Sequence, residues 1–341
     1  MSAVAGAAPV AGSPQDAGAH LANEVHGWTR RWGRKRQTAE AFQGSEEGHE
    51  RHIGYQMAGC GSRLLFRVNE CGHGESVRLV GANLCRHRLC PHCAKRRSIK
   101  LGARCKQRVE DLAGHGVRRY ALLTLTLRDG EKFDQRTVTR LWAAFRQLRR
   151  RDLWNGGRVL GVYAGIEVKR SARLGGWHPH IHALVARPAC PCRRFGQPIE
   201  TVETCAHGTP SCAHSLNHCC IAAAWFEITG DSYVVDIRAV RYGDGAVGVG
   251  GAVAEVTKYV TKLTEIELTD VLTVHRGIRG RHLLLTTGVF RGIKEPKNLR
   301  DLLDGDEQRC AHCGSPAVLV VARWRDARYV VVAAVSMPLM E

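Results

Sequence analysis

Within Trp177-His178-Pro179-His180-Ile181-His182-Ala183-Leu184-Val185 a histidine recurs at every second position. Successive strand side chains point to opposite faces, so His178, His180 and His182 share one face and Ile181, Ala183 and Val185 the other. Two imidazoles so spaced can grip one divalent cation and leave its remaining positions open to a phosphate. Further on stands Glu255-Val256-Thr257-Lys258-Tyr259-Val260-Thr261-Lys262. On a helix Glu255, Tyr259 and Lys262 form one stripe. The apolar Val253, Val256, Val260 and Leu263 form another, roughly 110° round.

These residue types suit transfer of a phosphodiester to a tyrosine. A divalent ion neutralises the phosphate and the leaving oxygen. A phenol has an ordinary pKa of about 10, so metal and lysines must assist the attack of Tyr259. Covalent capture then conserves the bond for rejoining. Glu255 would activate a water or a second strand's hydroxyl in a later transfer. His180 and His182 are the expected metal ligands, and Glu167 the third. Glu167 lies on a strand predicted over Val159–Lys169, which the turn-forming Ser171–Gly176 joins to the histidine strand as a hairpin. Opposing side chains on one face of a hairpin stand about 5 Å apart. A His/carboxylate set with open positions suits Mn2+ or Mg2+ better than a closed zinc site. His178 reads as structural or substrate-facing. Glu167 as an exposed strand residue is the competing reading, and Glu-x-x-x-Tyr alone is common on helices; the joint occurrence carries the weight.

The fourteen cysteines form a second chemical group. The segment from Met1 to about Asn23 lacks a charged leader and an apolar core, so export and a disulfide framework are not expected, and metal binding is the default. Cys90-Pro91-His92-Cys93 has knuckle spacing, with Cys60 and Cys85 as the other expected Zn2+ ligands and Cys71 or His73 as substitutes. Lys95, Arg96 and Arg97 follow the knuckle and are expected to contact DNA phosphates, as is Lys258 on the tyrosine helix. A Cys/His-rich insertion at 188–220 carries Cys190, Cys192, Cys205 and Cys212, with His207, His214, His218, Cys219 and Cys220. One more Zn2+ is expected there, its ligand pairing open. Cys310 and Cys313 supply half a site: they need partners elsewhere or are simple thiols. Cys105 reads as an ordinary helix cysteine.

The elements that must position these groups read as follows. Residues 1–50 form a disordered basic tail. Residues 51–112 form the Cys-rich segment and a basic helix (Ser98–Leu112), and 113–292 a catalytic domain. Residues 293–341 form a C-terminal segment with the Cys310/Cys313 knuckle. Strands are predicted at Tyr120–Leu127 and Tyr233–Val240, and helices over 137–153 and Ile221–Thr229, with the glycine-laden Gly243–Gly251 leading into the tyrosine helix. In 341 residues, 50 Lys and Arg against 32 Asp and Glu give a formal charge of +18. That excess favours a polyanionic partner. No run approaches the roughly 18–20 apolar residues of a membrane span, and a cytoplasmic protein is expected.

From about Cys60 to Gly292 the chain resembles the rolling-circle replication initiators of small bacterial plasmids, within the HUH endonuclease superfamily. Cys85 through Ser98 looks like the family's Cys-rich segment, and Leu123-Thr124-Leu125-Thr126-Leu127 is similar to its first strand motif. His178-Pro179-His180-Ile181-His182 looks like its metal motif, and Glu255–Lys262 resembles its single-tyrosine motif. Arg279-Gly280-Arg281-His282 through Gly288-Val289-Phe290 is similar to its C-terminal segment. The resemblance implies an α+β fold: an HUH-type antiparallel β-sheet with helices packed on one face, here preceded by a zinc-binding segment. It implies nicking of one strand at a plasmid double-strand origin, a 5′-phosphotyrosyl link at Tyr259, and a 3′-hydroxyl that primes synthesis. Glu255 would assist the closing step. Implied partners are origin DNA, single-stranded at the nick, a host helicase and DNA polymerase, and a second copy in a homodimer. The insertion at 188–220 departs from the family pattern. A single-strand DNA transposase or a mobilisation relaxase of the same superfamily is the first rival. A non-catalytic zinc-dependent DNA-binding protein is the second, and it leaves the conjunction of His180, His182, Glu255 and Tyr259 unexplained.

Overall fold

The computed structural model describes residues 14–69, 71, 77–155, 158–171, 175–188, 216, 218–242, 248–304, 309–310 and 313–336. In chain order, the first elements are α1 (Pro14–Gln43), α2 (Gly48–Gly59), β1 (Arg63–Asn69), β2 (Val77–Ala82), α3 (Pro91–Gly114) and β3 (Arg119–Thr126). Then follow α4 (Gln135–Leu148), α5 (Asp152–Asn155), β4 (Gly161–Arg170), β5 (Trp177–Arg187), α6 (His218–Thr229) and β6 (Val235–Arg241). The last are α7 (Val249–Lys262), α8 (Val271–Ile278), β7 (Leu284–Gly288), α9 (Leu299–Leu302), β8 (Ala317–Arg325) and β9 (Arg328–Ser336). They form two compact units, one of Met1–Cys93 with Lys297–Glu341 and one of Ala94–Pro296. Both are α+β with antiparallel sheets. The division between them falls at Cys93/Ala94 and at Pro296/Lys297.

In the first unit a four-stranded antiparallel sheet runs β2-β1-β8-β9. The expected tail is instead, from Pro14 onward, a 30-residue helix. Its few aromatic residues explain the difference: Trp28 and Phe42 are buried, and Trp32 stacks on Trp324 of β8 with ring centroids 4.0 Å apart. Aromatic rings bury so much area each that a charge-rich segment is anchored by a handful of them.

In the second unit a five-stranded antiparallel sheet runs β6-β3-β5-β4-β7. Helix α7 lies along β4 and β5, and α4 packs on β5, α6 and α8. The β-branched and small residues of β4 are buried without interruption from Gly161 to Val168. Such continuous burial means that both faces of the strand are covered. Helix α4 starts at Gln135, two residues before the expected point. Asp134 caps it by accepting from Thr137 N–H, and the Thr137 hydroxyl returns to the Asp134 backbone N–H. The helix ends at Leu148, before the arginine run 149–151, whereas periodicity carried it to about 153. Helix α6 begins at His218, inside the expected insertion. No helix among the described residues is long and apolar enough to cross a membrane.

Candidate active site

The β4–β5 ladder sets Glu167 opposite His180, and the β3–β5 ladder sets Thr124 opposite His182. Glu167 Oε2 lies 3.5 Å from His180 Nε2 and 3.2 Å from His182 Nε2. Their ligand atoms fall within 4.8 Å of one another. His180 Nδ1 is 3.2 Å from the His178 carbonyl, to which it donates, so the lone pair of the neutral ring sits on Nε2. His182 Nδ1 is 3.0 Å from Thr124 Oγ1. Outer partners of this kind fix the ring orientation of metal-binding histidines. Burial holds His180 below its ordinary pKa, in the neutral, ligating form. One carboxylate oxygen and two ring nitrogens therefore converge in a form that a divalent cation satisfies. His178, by contrast, hydrogen-bonds through Nδ1 to Asp129, which fits the structural reading.

Helix α7 brings the second half of the site. Glu255, Lys258 and Lys262 line the same cleft of about 630 Å³ as Glu167, His180 and His182. Lys258 Nζ donates to Glu255 Oε2 at 2.6 Å, and Lys262 Nζ to Glu265 Oε2 at 2.6 Å. The Glu265 hydrogen bond, followed by the fields of Glu167 and Glu255, raises Lys262, which stays a cation. Lys262 is thus fitted to neutralise a phosphate and not to accept a proton. Tyr259 belongs to α7, one turn beyond Glu255; its side chain lies outside the described residues. Asp236 and Arg238 of β6 also line the cleft, joined at 2.6 Å. Residue-type reading missed Thr124, Asp129, Asp236 and Arg238. The alternation of Thr124 and Thr126 with leucines was the one available signal, since it puts both threonines on one face of β3.

In the first unit four sulfurs meet. Cys60 Sγ lies 3.6 Å from both Cys93 Sγ and Cys90 Sγ, and Cys85 Sγ 3.7 Å from Cys93 Sγ. A disulfide requires about 2.05 Å, whereas four sulfurs at 2.3 Å from one tetrahedral zinc stand about 3.8 Å apart. The spacing fits zinc. Backbone N–H groups of Cys85 and Arg86 donate to Cys60 Sγ (3.3 Å) and Cys93 Sγ (3.2 Å). Burial and the adjacent sulfurs push the Cys90 thiol up, so closely packed thiolates need a cation. Buried Lys35, absent from any motif, contributes one: its Nζ donates to the Ala58 carbonyl at 2.7 Å and sits 3.3 Å over the Trp32 ring. His92, between two of these cysteines in sequence, turns its ring nitrogens to the carbonyls of Cys60 and Trp28.

Some expected contacts fail. Arg96 and Arg97 are only 6% and 4% exposed. Arg97 Nε donates to the Pro296 carbonyl at 3.2 Å and lies 3.6 Å from Glu295. Of the three, Lys95 alone is exposed. Cys190, Cys192, Cys205 and Cys212 lie outside the described residues. Among the other members of that expected set, His218 Nε2 lies 2.8 Å from the Val235 carbonyl, while Cys219 and Cys220 follow it in the first turn of α6.

Residues 76–193 match the family model described as "Replication protein". The chain is 27% identical over 269 residues to "Protein rep" of Streptococcus pneumoniae serotype 2, covering 76% of this chain and 77% of that one. It is 26% identical to "Protein rep" of a Bacillus species, over 74% of this chain and 82% of that one. Against "Protein rep" of Bacillus amyloliquefaciens it is 25% identical, over 87% and 92% respectively. No solved structure matches the chain. Residues 76–193 thus match the replication-protein family model, in a chain similar to Rep proteins over most of its length.

Proposed function

We propose that this chain initiates rolling-circle replication of a plasmid by nicking one strand of its origin and later rejoining it. The observation that carries this reading is the meeting of Glu167, His180 and His182 with Glu255, Lys258 and Lys262 in one cleft. A binding module has no need of a buried and a half-buried imidazole aimed at a carboxylate beneath a helix bearing a tyrosine between two lysines. The Rep relatives and the charge of +18 support the same reading.

Glu167, His180 and His182 would hold Mn2+ or Mg2+. That ion would supply neutralisation of the scissile phosphate and of the leaving oxygen. The Tyr259 oxygen attacks phosphorus; the bond to the 3′-oxygen breaks, and that oxygen leaves as a 3′-hydroxyl. The phenol proton passes to solvent or to the leaving oxygen. Lys258 and Lys262 neutralise charge that develops on the phosphate. Host helicase and polymerase would then extend the freed 3′-end. In the closing step Glu255, once its bond to Lys258 opens, takes a proton from the attacking 3′-hydroxyl; its oxygen bonds to phosphorus, the bond from phosphorus to the Tyr259 oxygen breaks, and the phenol leaves with a proton from solvent. Cys60, Cys85, Cys90 and Cys93 would hold a structural Zn2+, with Lys35 offsetting part of the thiolate charge.

The test is nicking of supercoiled origin plasmid with Mn2+ by the wild type and by Tyr259→Phe. The variant should bind origin DNA yet leave the plasmid closed and form no covalent adduct. Undiminished nicking by the variant removes Tyr259 as the nucleophile.

A further inference from the structure

A third group of side chains converges apart from the two sites above. Cys71, Cys310 and Cys313 bring their sulfurs within 4.8 Å of one another. Cys310 is buried, Cys71 half-buried and Cys313 exposed. The sheet explains their meeting. Asn69, the last residue of β1, pairs with Ala317, the first of β8. The segment leaving β1 and the segment entering β8 therefore sit side by side at one end of the sheet. Cys71 lies two residues beyond Asn69, and Cys313 four before Ala317.

The second segment has the form of a metal knuckle. Arg309 and Pro316 make an isolated antiparallel bridge. Cys310 N–H donates to the Ser315 carbonyl at 2.9 Å, and Gly314 N–H to the Cys310 carbonyl at 2.9 Å. Gly314 has φ +71°, a conformation that favours glycine, so the turn that brings the second thiol back depends on Cys-x-x-Cys-Gly. The Ser315 hydroxyl lies 3.0 Å from Cys313 Sγ, placed to donate to a thiolate.

We propose that Cys71, Cys310 and Cys313 form a further structural Zn2+ site, which staples the β1–β2 turn to the hairpin that precedes β8. Soft thiolate donors select zinc over the hard cations. Each thiol releases its proton to solvent as the ion binds. In sequence His73 stands two residues after Cys71 and His312 between the knuckle cysteines; both lie outside the described residues. The site is independent of the nicking chemistry. It belongs to the unit built from both ends of the chain, where zinc would tie two segments far apart in sequence.

The test measures zinc released from the full-length protein by a mercurial, read with a chromophoric chelator. Cys71→Ser and the double variant Cys310→Ser/Cys313→Ser should each carry one equivalent less than the wild type. Cys60→Ser should lose a different equivalent, so that combining it with Cys71→Ser removes two. Unchanged zinc in the Cys71→Ser protein overturns the site. Should the variants precipitate, alkylation of the native wild type decides. As a free thiol, exposed Cys313 would be modified at once; as a ligand it should resist until a chelator is added, then react together with Cys71 and Cys310. Immediate modification of Cys313 in zinc-loaded protein, or a Cys310–Cys313 disulfide in its mass spectrum, also overturns the proposal.

Discussion

Glu167 and His180 stand directly opposite each other across the β4–β5 ladder, on the face that also carries His182. An antiparallel pairing fixes such neighbours rigidly, because a one-residue slip would send every side chain to the other face. The carboxylate and the imidazoles are thus held by backbone hydrogen bonds and not by adaptable loops.

Thr124 tests this rigidity. Its hydroxyl is the partner of His182 Nδ1, and loss of an outer partner typically lowers metal affinity by about 10–100-fold. Thr124→Val should weaken Mn2+ binding in that range, read by titration, with the melting temperature nearly unchanged. His182→Ala should abolish measurable binding and nicking together while origin binding persists.

Glu255→Ala separates the two transfers. With Tyr259, Lys262 and the Glu167/His180/His182 set intact, the first cleavage should continue, while the covalent adduct accumulates because rejoining slows. Equal loss of cleavage and rejoining would refute a separate closing role.

Lys258 and the salt dependence of binding belong together. Each phosphate contact adds about 0.9 to the slope of log affinity against log salt on duplex DNA, and about 0.7 on a single strand. Lys258→Ala should lower that slope by about one contact, measured on origin DNA from low to moderate salt. An unchanged slope means that Lys258 serves Glu255 alone.

Cys105 provides a pH test. Burial pushes its thiol up to about 12 from an ordinary 9.0. A group with a raised folded pKa lends stability that is complete below the unfolded value and is lost as pH rises through the folded one. Between about pH 9 and 12 this thiol should therefore cost up to roughly 1.4 kcal/mol of stability per pH unit. Cys105→Ala should flatten the alkaline limb of a denaturation series, and native Cys105 should resist alkylation at pH 8.

How much of this was legible in the sequence depended on range. Glu167, His180 and His182 could be read together because a period of two and a short turn place them within one hairpin. Cys60, Cys85, Cys90 and Cys93 were legible because a knuckle announces soft ligands whatever the intervening fold. The burial of Arg96 and Arg97 was not legible, because a basic run looks solvated and Arg97 meets Glu295 and Pro296 only through the fold. Trp28 and Phe42 were too sparse in a charged segment to signal α1. The meeting of Cys71 with Cys310 and Cys313 depends on β1 pairing with β8, and no local pattern encodes a partner that remote.

That same β1–β8 pairing has a consequence for synthesis. As the nascent chain leaves the ribosome, β1 and β2 emerge long before the strands that flank β1 on its other side. Until Ala317–Arg325 arrives, β1 exposes an open edge able to recruit other chains. A polypeptide cut short before β8 would hold Ala94–Pro296 complete beside a half-built sheet, so truncated products should aggregate even where that later unit has folded.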